Sequence, residues 1–166
     1  MRNFRTITLV SLLLIVPAIA FSQAPPAALS FEVATIKPAE PINYRQAPNC
    51  TYSEPEISSV GLTERQAREA GHEVKVGRFP FAANSKASIL GAREGLVKIV
   101  SDERYGEILG VHMIGPRVTE MIAEAVVAIR LEATAEDLAH AIHPHPTLTE
   151  SVLEAAHAAA DWPIHV

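Results

Sequence analysis

Two apolar runs, Leu96–Val100 and Ile108–Ile114, are separated only by Ser101–Glu107, a short polar stretch containing Gly106. Strand-forming runs joined by so short a glycine-bearing connection form a hairpin, and hairpin strands are antiparallel. A purely parallel, doubly wound sheet is therefore excluded for this part of the chain. Gly115-Pro116 ends the second run, and Val118, Met121, Ile122, Ala125, Val126 and Ile129 then recur at helical spacing. This predicts a helix over 117–131 with one wide apolar face, a surface on which self-association is expected.

The flanking sequence extends the pattern. Asn49–Ser53 and Ile57–Val60 read as short strands broken at Glu54-Pro55. Thr63 and Gln66 have the spacing of a capping box, opening a helix over Glu64–Ala70 that Gly71 closes. Val74 and Val76 alternate with polar neighbours, as do Phe79 and Phe81, and Arg78 and Pro80 predict an edge strand. Asn84–Gly95 is small and polar and reads as loop or short helix. Thr134 caps a short helix through Ala139, and a last helix runs to about Ala160 with Leu148, Val152 and Ala156 on one face. Strands cluster first and helices last, so the expected class is α+β: an antiparallel sheet covered by helices.

The 166 residues, 48% hydrophobic and 20% charged, suit one globular core. The formal charge is −5, and no basic block is interleaved with aromatics, so nucleic acid is excluded as an expected partner. Cys50 is the single cysteine. The chain alone can form neither an intrachain disulfide nor a redox dithiol. Cys50 falls in an expected strand and reads as a small buried hydrophobe.

Residues 1–22 have the layout of a secretory signal peptide. Arg2 and Arg5 form a positive n-region, Ile7–Ile19 an apolar h-region, and the small residues Ala18, Ala20 and Ser22 a cleavage site after Ser22. The expectation is export to the periplasm or beyond, with no stable membrane anchor once the leader is cleaved. Residues 23–41 read as a linker or short mature N-terminus, 42–160 as the domain, and 161–166 as a tail.

The chemistry concentrates in the octet His143-Pro144-His145-Pro146-Thr147-Leu148-Thr149-Glu150. Each proline biases the preceding histidine towards extended backbone. An imidazole held by a carboxylate is a general acid/base arrangement, because the carboxylate sets the tautomer and stabilises the imidazolium. Thr147 and Glu150 also fit a capping box at the head of the last helix. The residues leave both readings of Glu150 open. A metal site on His143, His145 and Glu150 is chemically conceivable, but the two prolines restrict the backbone that would have to close around it.

From about Ile42 to Ala159 the chain resembles the C-terminal dimerisation domain of dihydrolipoyl dehydrogenase, a flavin-dependent pyridine nucleotide-disulfide oxidoreductase. The resemblance rests on CTYSEPEISSVGLTE (Cys50–Glu64), VGRFPFAANSKA (Val76–Ala87), GLVKIV (Gly95–Val100), GEILGVHMIGP (Gly106–Pro116), EATAEDLAHAI and the octet, in family order and spacing. It implies that His145 takes a proton from a dihydrolipoamide thiol, and that Glu150 orients its ring. It also implies a cis bond between His145 and Pro146; the His143-Pro144 bond is expected to be trans. His143 is expected to be structural. His112, His140, His157 and His165 carry no implied role.

FAD and NAD are implied for the parent family, each through a G-x-G-x-x-G fingerprint. Among the glycines at 61, 71, 77, 91, 95, 106, 110 and 115, no triple has that spacing. No cofactor is therefore expected on this chain by itself, and no catalysis alone. The expected partner is a second copy or a full-length reductase subunit. The competing reading is a secreted protein-binding module reusing the fold, and a cytoplasmic location, as in the parent family, competes with export.

Overall fold

The computed structural model describes residues 47–165; the expected leader and linker lie outside the described residues. Five strands form one sheet in the order β1-β2-β5-β4-β3, with every neighbouring pair antiparallel. They are β1 (Asn49–Thr51), β2 (Glu56–Gly61), β3 (Val74–Pro80), β4 (Leu96–Asp102) and β5 (Ile108–Gly115). The helices are α1 (Glu64–Glu69), α2 (Ser85–Leu90), α3 (Val118–Arg130), α4 (Ala135–His140) and α5 (Glu150–Ala159). The class is the expected α+β, and β3 is indeed an edge strand. β1 is shorter than expected, stopping before Glu54-Pro55, whose peptide bond is cis.

Alternation along the strands decides which face is core. Ser58, Val60, Phe79, Val97, Ile99, Val111 and Met113 are buried on the face covered by α3 and α5. Val118, Met121, Ile122, Ala125, Ala128 and Ile129 supply the facing side of α3, and Val152, Ala155, Ala156 and Ala159 that of α5. A smaller cluster of Ala67, Val74, Val100 and Leu109 lies under α1 on the opposite face. Cys50 is half-buried against the main core rather than fully enclosed.

Local chemistry sets the helix ends. Thr63 with Gln66 and Thr134 with Asp137 form complete capping boxes, the second using an aspartate where glutamate is usual. α3 has no side-chain cap from its own N-cap residue, Arg117. Instead Glu56 reaches from β2 and accepts from Thr119 N at 3.0 Å and Thr119 Oγ1 at 2.7 Å. The Thr119 hydroxyl bond is the main reason the Glu56 carboxyl lies below its ordinary range.

Candidate functional site

The octet lies between the end of α4 and the start of α5, and three attachments hold it. Asn84 is buried and caps α2 by accepting from Ala87 N at 2.9 Å; its Nδ2 donates to the Thr147 carbonyl and to Ser151 Oγ, each at 3.0 Å. His143 faces Glu124 of α3, Nε2 to Oε1 at 2.8 Å. Glu150 makes the third attachment, donated to by Thr147 N at 2.8 Å through Oε2. The sequence had no signal that Asn84 or Glu124 would hold the octet, because both reach it across long stretches of chain.

The His145-Pro146 bond is cis, while His143-Pro144 is not among the cis bonds of the described residues. His145 Nδ1 lies 2.8 Å from Glu150 Oε1. The two readings of Glu150 are therefore not alternatives: one carboxylate oxygen meets the imidazole and the other meets the Thr147 amide. The capping box itself is only half formed. The helix starts at Glu150 with Thr149 as N-cap, and the Thr147 hydroxyl donates to the Pro144 carbonyl at 2.8 Å instead of receiving a helix amide. A chain already turned towards Pro144 cannot also aim that hydroxyl at the first helical turn.

Electrostatics favour an ionised Glu150. Burial pushes its carboxyl up, but the Thr147 amide, the His145 ring and the nearby His143 outweigh burial and leave it below its ordinary range. An ionised carboxylate only accepts, so His145 Nδ1 carries the hydrogen. Nε2 of the neutral ring is then the basic nitrogen, and it has no hydrogen-bond partner among the described residues. The His145 side chain is 69% exposed. It lines a cavity of about 240 Å³ with Phe79, Glu150, Glu154 and His165.

Glu154 and His165 add a feature that sequence reasoning missed. His165 Nδ1 and Glu154 Oε1 are 2.6 Å apart, and Glu154 is buried. The tail is thereby folded onto the domain. Lys75 donates to Asp161 at 2.6 Å, and the Trp162 ring meets His140 edge-on at 5.4 Å. Of the remaining histidines, His112 faces the Leu62 carbonyl at 3.0 Å and His72 faces Asp102 at 2.9 Å. Among the described residues no group of three or more histidine, cysteine or acidic side chains is placed to hold a metal.

This sheet, its helix order and its octet coincide with a known domain. The sequence profile of the pyridine nucleotide-disulphide oxidoreductase dimerisation domain matches residues 47–156. The chain belongs to this family. A dihydrolipoyl dehydrogenase of Bacillus subtilis is 53% identical over 125 residues, which are 75% of this chain and 26% of the relative. One from Rhizobium etli is 48% identical over 124 residues, with the same 75% and 26% coverage. Among solved structures, LpdA from Mycobacterium tuberculosis superposes with a TM-score of 0.68 at 26% identity, covering 73% of this chain and 26% of that one. The HOCl-induced flavoprotein disulfide reductase RclA of Escherichia coli gives 0.62 at 29% identity, covering 64% and 25%. The chain spans about a quarter of the length of the curated relatives it matches. The whole octet lies inside the matched segment, and Glu150 falls six residues before its end.

The dimerisation domain does not itself form a dinucleotide cradle. Such a cradle needs a parallel strand–helix–strand unit with an open helix N-terminus for the pyrophosphate. Here every strand pairing is antiparallel. At the glycine-bearing passage from β5 into α3, the Glu56 carboxylate already occupies the helix N-terminus and would repel a phosphate. Among the described residues, then, no cradle of this kind is formed for FAD or NAD. Among them, too, no helix is long and apolar enough to cross a membrane.

Proposed function

We propose that this domain supplies the acid/base half of a divided active site that acts on a dithiol of the dihydrolipoyl class. The observation that carries the reading is the His145–Glu150 bond of 2.8 Å on an exposed ring. With Nδ1–H held by the carboxylate, Nε2 takes the proton of a substrate thiol. The products of that step are a thiolate and an imidazolium, and Glu150 offsets the new positive charge. A thiolate is the competent nucleophile towards a disulfide, whereas a thiol is not. With Cys50 as its single cysteine, this chain supplies no disulfide, so the electron acceptor belongs to another subunit or domain. The names of the curated relatives support the substrate class.

The partner in this reading is a second copy or a full-length reductase subunit. The apolar face of α3 is spent on the sheet, so it is not the docking face that its periodicity suggests. Among the exposed apolar side chains of the described residues are Val127, Leu131 and Ile142, respectively 57%, 73% and 98% exposed. Export by residues 1–22 is part of the same proposal and rests on the charge and apolar layout of that segment.

A chimera tests the reading. Residues 42–160 replace the corresponding domain of the Bacillus subtilis enzyme, and dihydrolipoamide oxidation is measured. The chimera should turn over, and His145→Gln in it should lower kcat by about 10²–10⁴-fold, the usual contribution of a positioned general base. A His145→Gln chimera within tenfold of its parent would refute the assignment.

A further inference from the structure

His143 is the more buried of the two octet histidines, its side chain only 7% exposed. Both of its ring nitrogens face oxygen: Nδ1 lies 2.8 Å from the Ala141 carbonyl oxygen, and Nε2 lies 2.8 Å from Glu124 Oε1. A carbonyl oxygen cannot donate, so Nδ1 carries a hydrogen. A neutral imidazole has only one N–H. Its Nε2 would then aim a lone pair at a carboxylate oxygen, and two acceptors at that distance repel. A second proton must therefore lie between Nε2 and Oε1.

The ring is the better place for that proton. An ordinary imidazole binds a proton more tightly than an ordinary glutamate carboxylate. Glu124 is 30% exposed and so keeps part of its hydration as an anion. The titratable groups that face His143 are Glu124 from α3 and Glu150 from the head of α5, and both are acidic. The Glu124 bond raises the affinity of the ring for its proton; burial opposes it, and the Glu124 bond together with the Ala141 carbonyl and the two carboxylate charges outweighs burial.

We propose that His143 is a standing imidazolium that anchors the octet to α3 through Glu124, and is thereby a positioning residue for His145. Its charge also favours the ionised form of Glu150, which is the form that accepts from His145 Nδ1. Without it the segment from Ala141 to Pro144 loses its side-chain tie to α3, and only the Asn84 and Glu150 attachments remain. The positioning half of this proposal rests on the proposed role of His145; the protonation half does not.

The test uses the full chain, ¹⁵N-labelled, and no turnover assay. Imidazole nitrogen spectra followed over pH should show both His143 nitrogens protonated at neutral pH, with a midpoint above the ordinary 6.5. A lone-pair nitrogen signal for His143 at neutral pH would overturn the protonation claim. In Glu124→Gln the midpoint should fall, and the Thr147 amide should exchange about tenfold faster or more while the Ile99 amide of β4 keeps its rate. Unchanged Thr147 exchange, or equal acceleration at Ile99, would overturn the positioning claim. Wild-type protein provides the same comparison without a variant. Raising the pH through the His143 midpoint should speed Thr147 exchange beyond the intrinsic rise seen at other exposed amides, and an intrinsic rise alone would overturn positioning.

Discussion

Gly77→Ala should lift α5 off the sheet, and it tests how the candidate site is seated. Gly77 lies in β3 directly beneath α5, where the helix shows Ala155 and Ala159 to the strand. A Cβ built there would fall inside contact distance of the Ala155 carbonyl oxygen and the Ala159 nitrogen, and 2.8 Å from Ala159 Cβ. The first two are main-chain atoms and cannot rotate aside. Adding a methylene to a packed core costs about 1–3 kcal/mol, and an obstruction made of backbone belongs at the top of that range, about 3 kcal/mol. A domain of this kind is stable by only about 5–15 kcal/mol, so the loss is a large share of the total. Urea denaturation gives the free energy, and the midpoint of thermal unfolding should fall by roughly 10 °C. Gly71→Ala is the control. Gly71 has φ 93° and open space around its missing Cβ, so its cost is the left-handed backbone alone, about 1–2 kcal/mol. If Gly77→Ala costs no more than Gly71→Ala, the close seating of α5 on β3 is not what holds the helix.

Stability should also report the octet. His143 has a raised proton affinity, so its contribution is full below pH 6.5 and is lost as pH rises through its folded value. The midpoint gap between wild type and His143→Gln should therefore narrow above pH 6.5, and a constant gap from about pH 5 to about pH 9 would refute it. The difference between proteins is needed because His112, held neutral chiefly by burial, pulls the other way and destabilises as pH falls below 6.5. Purified chain should show no flavin absorbance and no dihydrolipoamide oxidation; a yellow protein near one flavin per chain would contradict this. Chain expressed in a bacterial host should be exported and, by intact mass, begin after Ser22; a soluble cytoplasmic product retaining Met1 would count against the leader. Light scattering should show self-association through the surface around Val127, Leu131 and Ile142, weakened by Leu131→Glu, and a strictly monomeric mass at high concentration would remove that claim.

The elements that were legible in the sequence are those whose cause is local. The β4–β5 hairpin follows from two apolar runs seven residues apart, α3 from its period, α1 from a capping box and α4 from its Thr134 cap, and the structure has both caps. α2 stayed undecided because it has almost no apolar face; Ala87 is its one fully buried residue. Its two signals were nonetheless present. Asn84 is a strong N-cap type, and Gly91 takes the left-handed C-cap conformation at φ 69°. Read as end signals rather than as loop composition, they would have bounded the helix.

The site was legible only in its sequence-local part. His145 and Glu150 are five residues apart, and a spacing that short can be read from the chain. The open question about Glu150 could not be closed that way, because a spacing names one partner at a time while a carboxylate has two oxygens. The geometry gives one oxygen to the ring and one to the Thr147 amide, so the residue that starts α5 also orients His145. This couples the two functions: a helix that frays at Glu150 loses its grip on the imidazole. The supports of the octet lie 63 residues away for Asn84 and 19 for Glu124, on elements that touch it only after the sheet has brought α2, α3 and α5 together. In the divided active site proposed above, the acid/base group sits on one body and the electron acceptor on another, so the position of the imidazole must not depend on the other body's arrival. Three attachments within one domain meet that requirement, and each can be removed separately to find which of them His145 needs.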